Sequence, residues 1–116
     1  MHELSIARNL LDTVLDNLRK HQATSVVSVK VDVGHLSGVV PSALEFAFSC
    51  LKEETPARDA RLEINYIMPQ YVCRSCNEVT EPDEPICRCP NCSDFKLEVR
   101  SGFELNLVSM EVDTDV

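Results

Sequence analysis

Between Glu3 and His21 the apolar residues Leu4, Ala7, Leu11, Leu15 and Leu18 recur every three or four positions, flanked by Ile6, Leu10 and Val14. That spacing predicts an amphipathic helix with a wide apolar stripe, Arg8, Asn9, Asp12, Asp16, Arg19 and Lys20 filling the other face. The period then drops to two. Val27, Val29, Val31 and Val33 alternate with Ser28, Lys30 and Asp32, the pattern of a half-buried strand of β-branched residues. Gly34 and Gly38 mark a loop, and Pro41-Ser42 opens a second helix with Ser42 and Glu45 at capping-box spacing. Its buried face is expected to be Leu44, Ala47, Phe48 and Leu51, and its end to fall near Thr55-Pro56. Leu62, Ile64 and Tyr66 predict a second strand. Phe103, Leu105 and Leu107 predict a third, which the alternation extends back to Leu97 and Val99.

From about Tyr71 to Phe95 the periodicity is lost and Cys, Pro, Asn, Asp and Glu dominate. Such a stretch has too little apolar surface to offset the entropy of ordering it, so something other than a core must hold it. The expected architecture is α+β. Two helices pack on a small mixed three-stranded sheet formed by residues 1–68 and 97–116, and residues 69–96 form an inserted four-cysteine zinc module of the rubredoxin or zinc-ribbon kind.

Composition narrows the partners. The 116 residues are 44% hydrophobic but only 5% aromatic, which suits one compact domain with an aliphatic core. Nineteen acidic against eleven basic residues give a net charge of -8, which repels phosphate backbones and argues against nucleic acid. No stretch reads as a membrane span, and the start of the chain lacks the charged head and apolar middle of an export signal. Six cysteines in such a chain are expected to stay reduced, in the cytoplasm, where metal binding is favoured over disulfides.

Four of those cysteines form two CxxC pairs, Cys73-Arg-Ser-Cys76 and Cys89-Pro-Asn-Cys92, separated by twelve residues. Two such turns facing one another make a tetrahedral set of four sulfurs, closed to substrate and therefore structural, and zinc is the expected ion. Iron and iron–sulfur centres share this ligand chemistry. Cys87 reads as a spare thiol beside the site, and Cys50, within the second helix, as a packed core thiol. A second metal-binding group stands at Met1-His2-Glu3. A terminal α-amine, the following amide nitrogen and the His2 imidazole can close fused chelate rings around Ni²⁺ or Cu²⁺ in a plane, with Glu3 adding its amide or its carboxylate. His21 and His35 have no ligand partners at suitable spacing and read as bystanders.

Taken together, the opening Met1-His2-Glu3-Leu4 with its helix, Val33-Gly34 closing the first strand, and the two cysteine knuckles resemble the HypA/HybF family of hydrogenase maturation factors. The resemblance spans the whole chain. It implies a nickel metallochaperone, not an enzyme, with Met1, His2 and Glu3 in the nickel site and Cys73, Cys76, Cys89 and Cys92 on structural zinc. It implies delivery of Ni²⁺ to the large-subunit precursor of a [NiFe] hydrogenase, in some bacteria also to urease, with a HypB-type GTPase as partner. The oligomeric state stays open between monomer and homodimer. The competing reading from the residues is a zinc-ribbon adaptor without nickel transfer. A dithiol redox protein fits less well, because both CxxC pairs lie in irregular chain instead of at a strand–helix junction.

Overall fold

The computed structural model describes residues 2–114, with side chains from Glu3 onward. Helix α1 spans His2–Lys20 and buries Ala7, Leu11, Val14 and Leu18, while Leu4 at its start is exposed. It stops in a Schellman motif. Gln22 takes a left-handed φ of 55°, its N–H bonds the Arg19 carbonyl, and the Ala23 N–H reaches back to the Leu18 carbonyl. Strand β1 (Ser25–Gly34) follows, then a single 3₁₀ turn (His35–Ser37) and helix α2 (Pro41–Leu51). Strand β2 spans Arg61–Ile67, β3 Gln70–Cys73, β4 Val79–Thr80, β5 Leu97–Ser101 and β6 Leu105–Asp113.

The strands form two three-stranded sheets. In the first, β1 is central, parallel to β2 and antiparallel to β6, giving the order β2-β1-β6. The parallel pair is joined through α2, as a parallel connection requires. Both helices contribute to one core: Leu11, Val14, Leu44, Ala47 and Phe48 pack with Val29, Val31 and Val33 of β1, and Leu62 and Ile64 of β2 lie against it. The second sheet, β4-β3-β5, is wholly antiparallel and carries the cysteine knuckles. The molecule is elongated, 59 × 28 × 17 Å.

Several expectations are revised. The buried valine before Val29 is Val26, not Val27, because a register shift between Val26 and Ser28 turns the strand over and buries Ser28 as well. A second shift opposite Lys30 and Val31 does the same to β6, whose core-facing residues are Leu107, Met110 and Val112. Leu97 and Val99 do not extend the third strand backward. They belong to β5, paired with β3, and Gly102 at φ 119° separates them from β6. Ser42 caps nothing: α2 starts at Pro41 and its N-cap is Val40, without a side-chain bond from that residue. The helix ends at Leu51, four residues short of Thr55, and closes through the Lys52 N–H on the Phe48 carbonyl. Cys50 is exposed, on the outer face of α2.

The two sheets meet at a glycine joint. The Gly34 N–H donates to the Glu104 carbonyl and the Leu36 N–H to the Gly102 carbonyl, each at 2.7 Å. The Gly102 N–H donates to the Glu104 carboxylate at 2.7 Å. A Cβ on Gly34 would lie 2.1 Å from the Gly102 oxygen, so no side chain fits there. Gly34→Ala should therefore cost about 1–3 kcal/mol, the usual penalty for forced overpacking. Gly38→Ala, where φ is 82° but nothing lies within 4 Å, should cost only the left-handed backbone penalty of about 1–2 kcal/mol. Urea unfolding of both variants checks the ranking.

Candidate metal centre

The two knuckles are built alike from the backbone up. In the first, the Asn77 N–H bonds the Cys73 carbonyl at 2.8 Å and the Cys73 N–H bonds the Glu78 carbonyl at 3.0 Å. In the second, the Ser93 N–H bonds the Cys89 carbonyl at 2.8 Å and the Cys89 N–H bonds the Asp94 carbonyl at 2.8 Å. The residue after each second cysteine is left-handed, Asn77 at φ 63° and Ser93 at 64°. That reversal turns the chain sharply after the second thiol, so both sulfurs of a knuckle point the same way. Asn tolerates this conformation well, and its place directly after a CxxC is the sequence signal for the turn.

The knuckles face each other. All four sulfurs, of Cys73, Cys76, Cys89 and Cys92, lie within 4.8 Å of one another. Across the pair, Cys73 Sγ is 3.6 Å from Cys92 Sγ and Cys76 Sγ is 3.7 Å from Cys89 Sγ. A tetrahedron with Zn–S bonds of about 2.3 Å has S···S edges of about 3.8 Å, and the two pairs across the knuckles already stand near that spacing. Cys73 and Cys89 are buried, Cys76 is half-buried and Cys92 exposed. Cys87 stands outside the cluster and is exposed.

Side chains that the cysteine spacing alone does not reveal support the centre. The Ser75 hydroxyl donates to Asp94 Oδ2 at 2.6 Å, tying one knuckle to the other, and Asn91 Nδ2 lies 3.5 Å from Cys76 Sγ. Arg74 pairs with Glu98 of β5 at 2.6 Å, and its N–H bonds the Lys96 carbonyl at 2.8 Å. The Ser75 bond holds the Asp94 carboxyl below its ordinary value. The Asn91 amide, with backbone donation from Glu78, lowers the Cys76 thiol to about 7. A backbone bond at Asp94 pulls Cys92 down, but burial and the three neighbouring sulfurs outweigh it and push that thiol up to about 12.

In the metal-free protein the signs therefore oppose. Cys76, depressed from 9.0, contributes thiolate-linked stability present above pH 9 and lost as pH falls through about 7. Cys92, raised from 9.0, favours the thiol, an effect present below pH 9 and lost as pH rises through about 12.

A family described as hydrogenase/urease nickel incorporation, metallochaperone, HypA, matches residues 1–112 of the chain. The chain belongs to the HypA family. Among its relatives, the hydrogenase maturation factor HypA of Aquifex aeolicus is 37% identical over 115 residues, 99% of this chain and 100% of that protein. That of Chlorobaculum parvum is 34% identical over 113 residues, 97% of this chain and 100% of that one. Solved HypA structures share the fold. The solution structure of the Ni metallochaperone HypA from Helicobacter pylori aligns with a TM-score of 0.68 at 27% identity, covering 99% of this chain and 100% of that one. A second HypA solution structure aligns with a TM-score of 0.73 at the same identity, covering 99% and 98%.

As in the HypA family at large, the chemistry expected here is nickel incorporation in hydrogenase maturation. The residues expected to bind nickel fall at the start of α1. Met1 and the His2 side chain lie outside the described residues. Glu3 lies in the first turn of α1, half-buried, its carboxylate accepting a hydrogen bond from the Val40 N–H at 3.2 Å. His21 is exposed after α1, and His35 Nδ1 is 2.7 Å from the Tyr66 hydroxyl. Neither is joined to the cysteine cluster. Among the described residues no helix is long and apolar enough to cross a membrane.

Proposed function

We propose that this chain is a cytoplasmic nickel metallochaperone that binds Ni²⁺ through Met1, His2 and Glu3 and delivers it to the large-subunit precursor of a [NiFe] hydrogenase. The match of residues 1–112 to a nickel-incorporation family carries this reading. Urease is a second recipient, consistent with the family's description. A HypB-type GTPase is the expected partner. The chain itself does no catalysis; it holds and transfers an ion.

The donor chemistry supports the role. Amine, amide and imidazole nitrogens in one plane suit Ni²⁺, and each must shed its proton to bind, so affinity falls with acid. A site at the start of a helix can be approached from one side by the ligands of a recipient, which allows handover without release to solvent. Cys73, Cys76, Cys89 and Cys92 hold zinc as a fixed scaffold. With four thiolates on the ion no position is open for substrate, so zinc stabilises the second sheet and takes no part in transfer. The nickel-binding part is residues 1–68 with the C-terminal strand, and the zinc module is the segment beginning at 69. The pairing of β5 with β3 supports including residues 97–101 in that module.

In a host whose own HypA has been deleted, this chain should restore hydrogenase activity, and His2→Ala should not. Restoration by both would favour the competing reading of a zinc-ribbon adaptor that needs no nickel site.

A further inference from the structure

We propose that the outer edge of β6, with the groove beside it, binds an extended basic peptide of a partner protein, which joins the first sheet as a further strand. In the order β2-β1-β6, β6 pairs with β1 on one side, and among the described residues no strand pairs with its other side. Beside that edge a groove runs between β6 and α1. Ile6, Leu10, Thr13, Asn17 and His21 recur every three or four residues and so share one side of the helix. Opposite them stand Leu105, Leu107, Met110 and Val112 of β6. The groove consists of two open hollows of about 230 and 260 Å³, with Leu107 as a common wall.

An open strand edge is a template for another strand, and proteins usually guard it with lysine, proline or short length. The opposite edge, β2, carries exposed charges of both signs, Arg61 and Glu63. By contrast β6 runs for nine residues without a Lys, Arg or Pro. Its bulge at Val108 falls beside Leu107 and leaves the Val108 side chain exposed. In strand addition the main chain supplies affinity, and hollows that take alternate side chains supply selectivity. No lysine, arginine or carboxylate lines these hollows, so they select aliphatic side chains at alternate positions. The charged residues of β6 are Glu111 and Asp113, and the whole chain carries -8, so the intervening positions of the peptide are Lys or Arg. The same charge disfavours a second copy. Pairing β6 with itself would bring the carboxylates of both copies together, with no cation of the strand to answer them.

A labelled peptide of alternating lysine and valine, as long as β6, tests this when titrated into the full chain and followed by fluorescence anisotropy. It should bind saturably and protect main-chain amides of β6 from hydrogen exchange. Methylating alternate peptide nitrogens keeps charge and side chains but removes the hydrogen bonds of one edge, and should cost about tenfold or more. Val108→Lys on the strand and Thr13→Lys on the helix wall, both at exposed positions, should each weaken binding about tenfold or more by setting like charge against the peptide. Glu63→Lys, on the far edge strand β2, changes the net charge by more than either, yet should stay within about threefold because a distant charge is screened. Losses that follow net charge, largest in Glu63→Lys, would mean non-specific attraction and overturn the proposal. Undiminished binding of the methylated peptide would overturn it too. A peptide-free chain that sediments as a dimer, with β6 amides protected in it but not in Val108→Lys, would assign the edge to a second copy and overturn it as well.

Discussion

Cys73→Ser is expected to abolish stoichiometric zinc binding and to unfold the second sheet while leaving the helices and the first sheet intact. The reason is where the apolar contacts lie. Every residue of the main core cluster falls between Ala7 and Ala60. The second sheet buries little besides Pro69, Tyr71, Cys73 and Cys89. Burying one large apolar side chain is worth about 1.5–3 kcal/mol, against about 1–2 kcal/mol of backbone entropy for each residue fixed. Structural zinc in small modules contributes on the order of 10–16 kcal/mol at neutral pH, and it is the only local term of the size needed. Loss of one of four thiolates, and a buried one, leaves an incomplete and hydrated site. Metal analysis should fall from one zinc per chain toward none. Amide resonances from Gln70 to Ser101 should collapse to unfolded positions, while those of Val29 and Val31 keep theirs. Zinc retained in Cys73→Ser but lost when Cys87 is also replaced would mean that the spare thiol has moved into the vacant position.

The cysteine cluster was readable because its geometry is local. A CxxC turn needs only its own residues and a left-handed position after it, and the sequence supplies Asn77 and Ser93 at those places. The two helices and three principal strands were readable for a similar reason, since Leu11, Leu18, Leu44 and Phe48 follow helical spacing and Val29, Val31 and Val33 alternate. What escaped the pattern depends on distant partners. The β-bulges in the pairing of β1 with β6 move the buried face from Val27 to Val26 and bring Met110 and Val112 inward, and nothing in either strand alone signals this. Leu97 and Val99 keep the same alternation as β6, yet the positive φ of Gly102 sends them to another sheet. Ser42 had a partner at capping-box spacing, but Pro41 set the helix start one residue earlier and a glutamate 37 residues away took the cap. Cys50 resembled a core thiol because it lies between apolar neighbours, while the helix period puts it on the solvent side.

The second large effect concerns nickel. Removing the His2 imidazole takes away the donor that closes the six-membered chelate ring and with it the planar field that stabilises Ni²⁺. Changes to groups that merely orient a ligand cost about 10–100-fold, so loss of the ligand itself should exceed about 100-fold. Zinc should be indifferent, because the four knuckle thiolates complete a tetrahedral set by themselves.

The most direct test is metal analysis followed by calorimetric nickel titration of the protein with an unmodified Met1, comparing wild type with His2→Ala. One zinc per chain in both proteins, with a tight nickel site in wild type alone, is the expected result. Equal nickel binding by the two would move the site away from Met1, His2 and Glu3 and contradict the proposed mechanism of delivery.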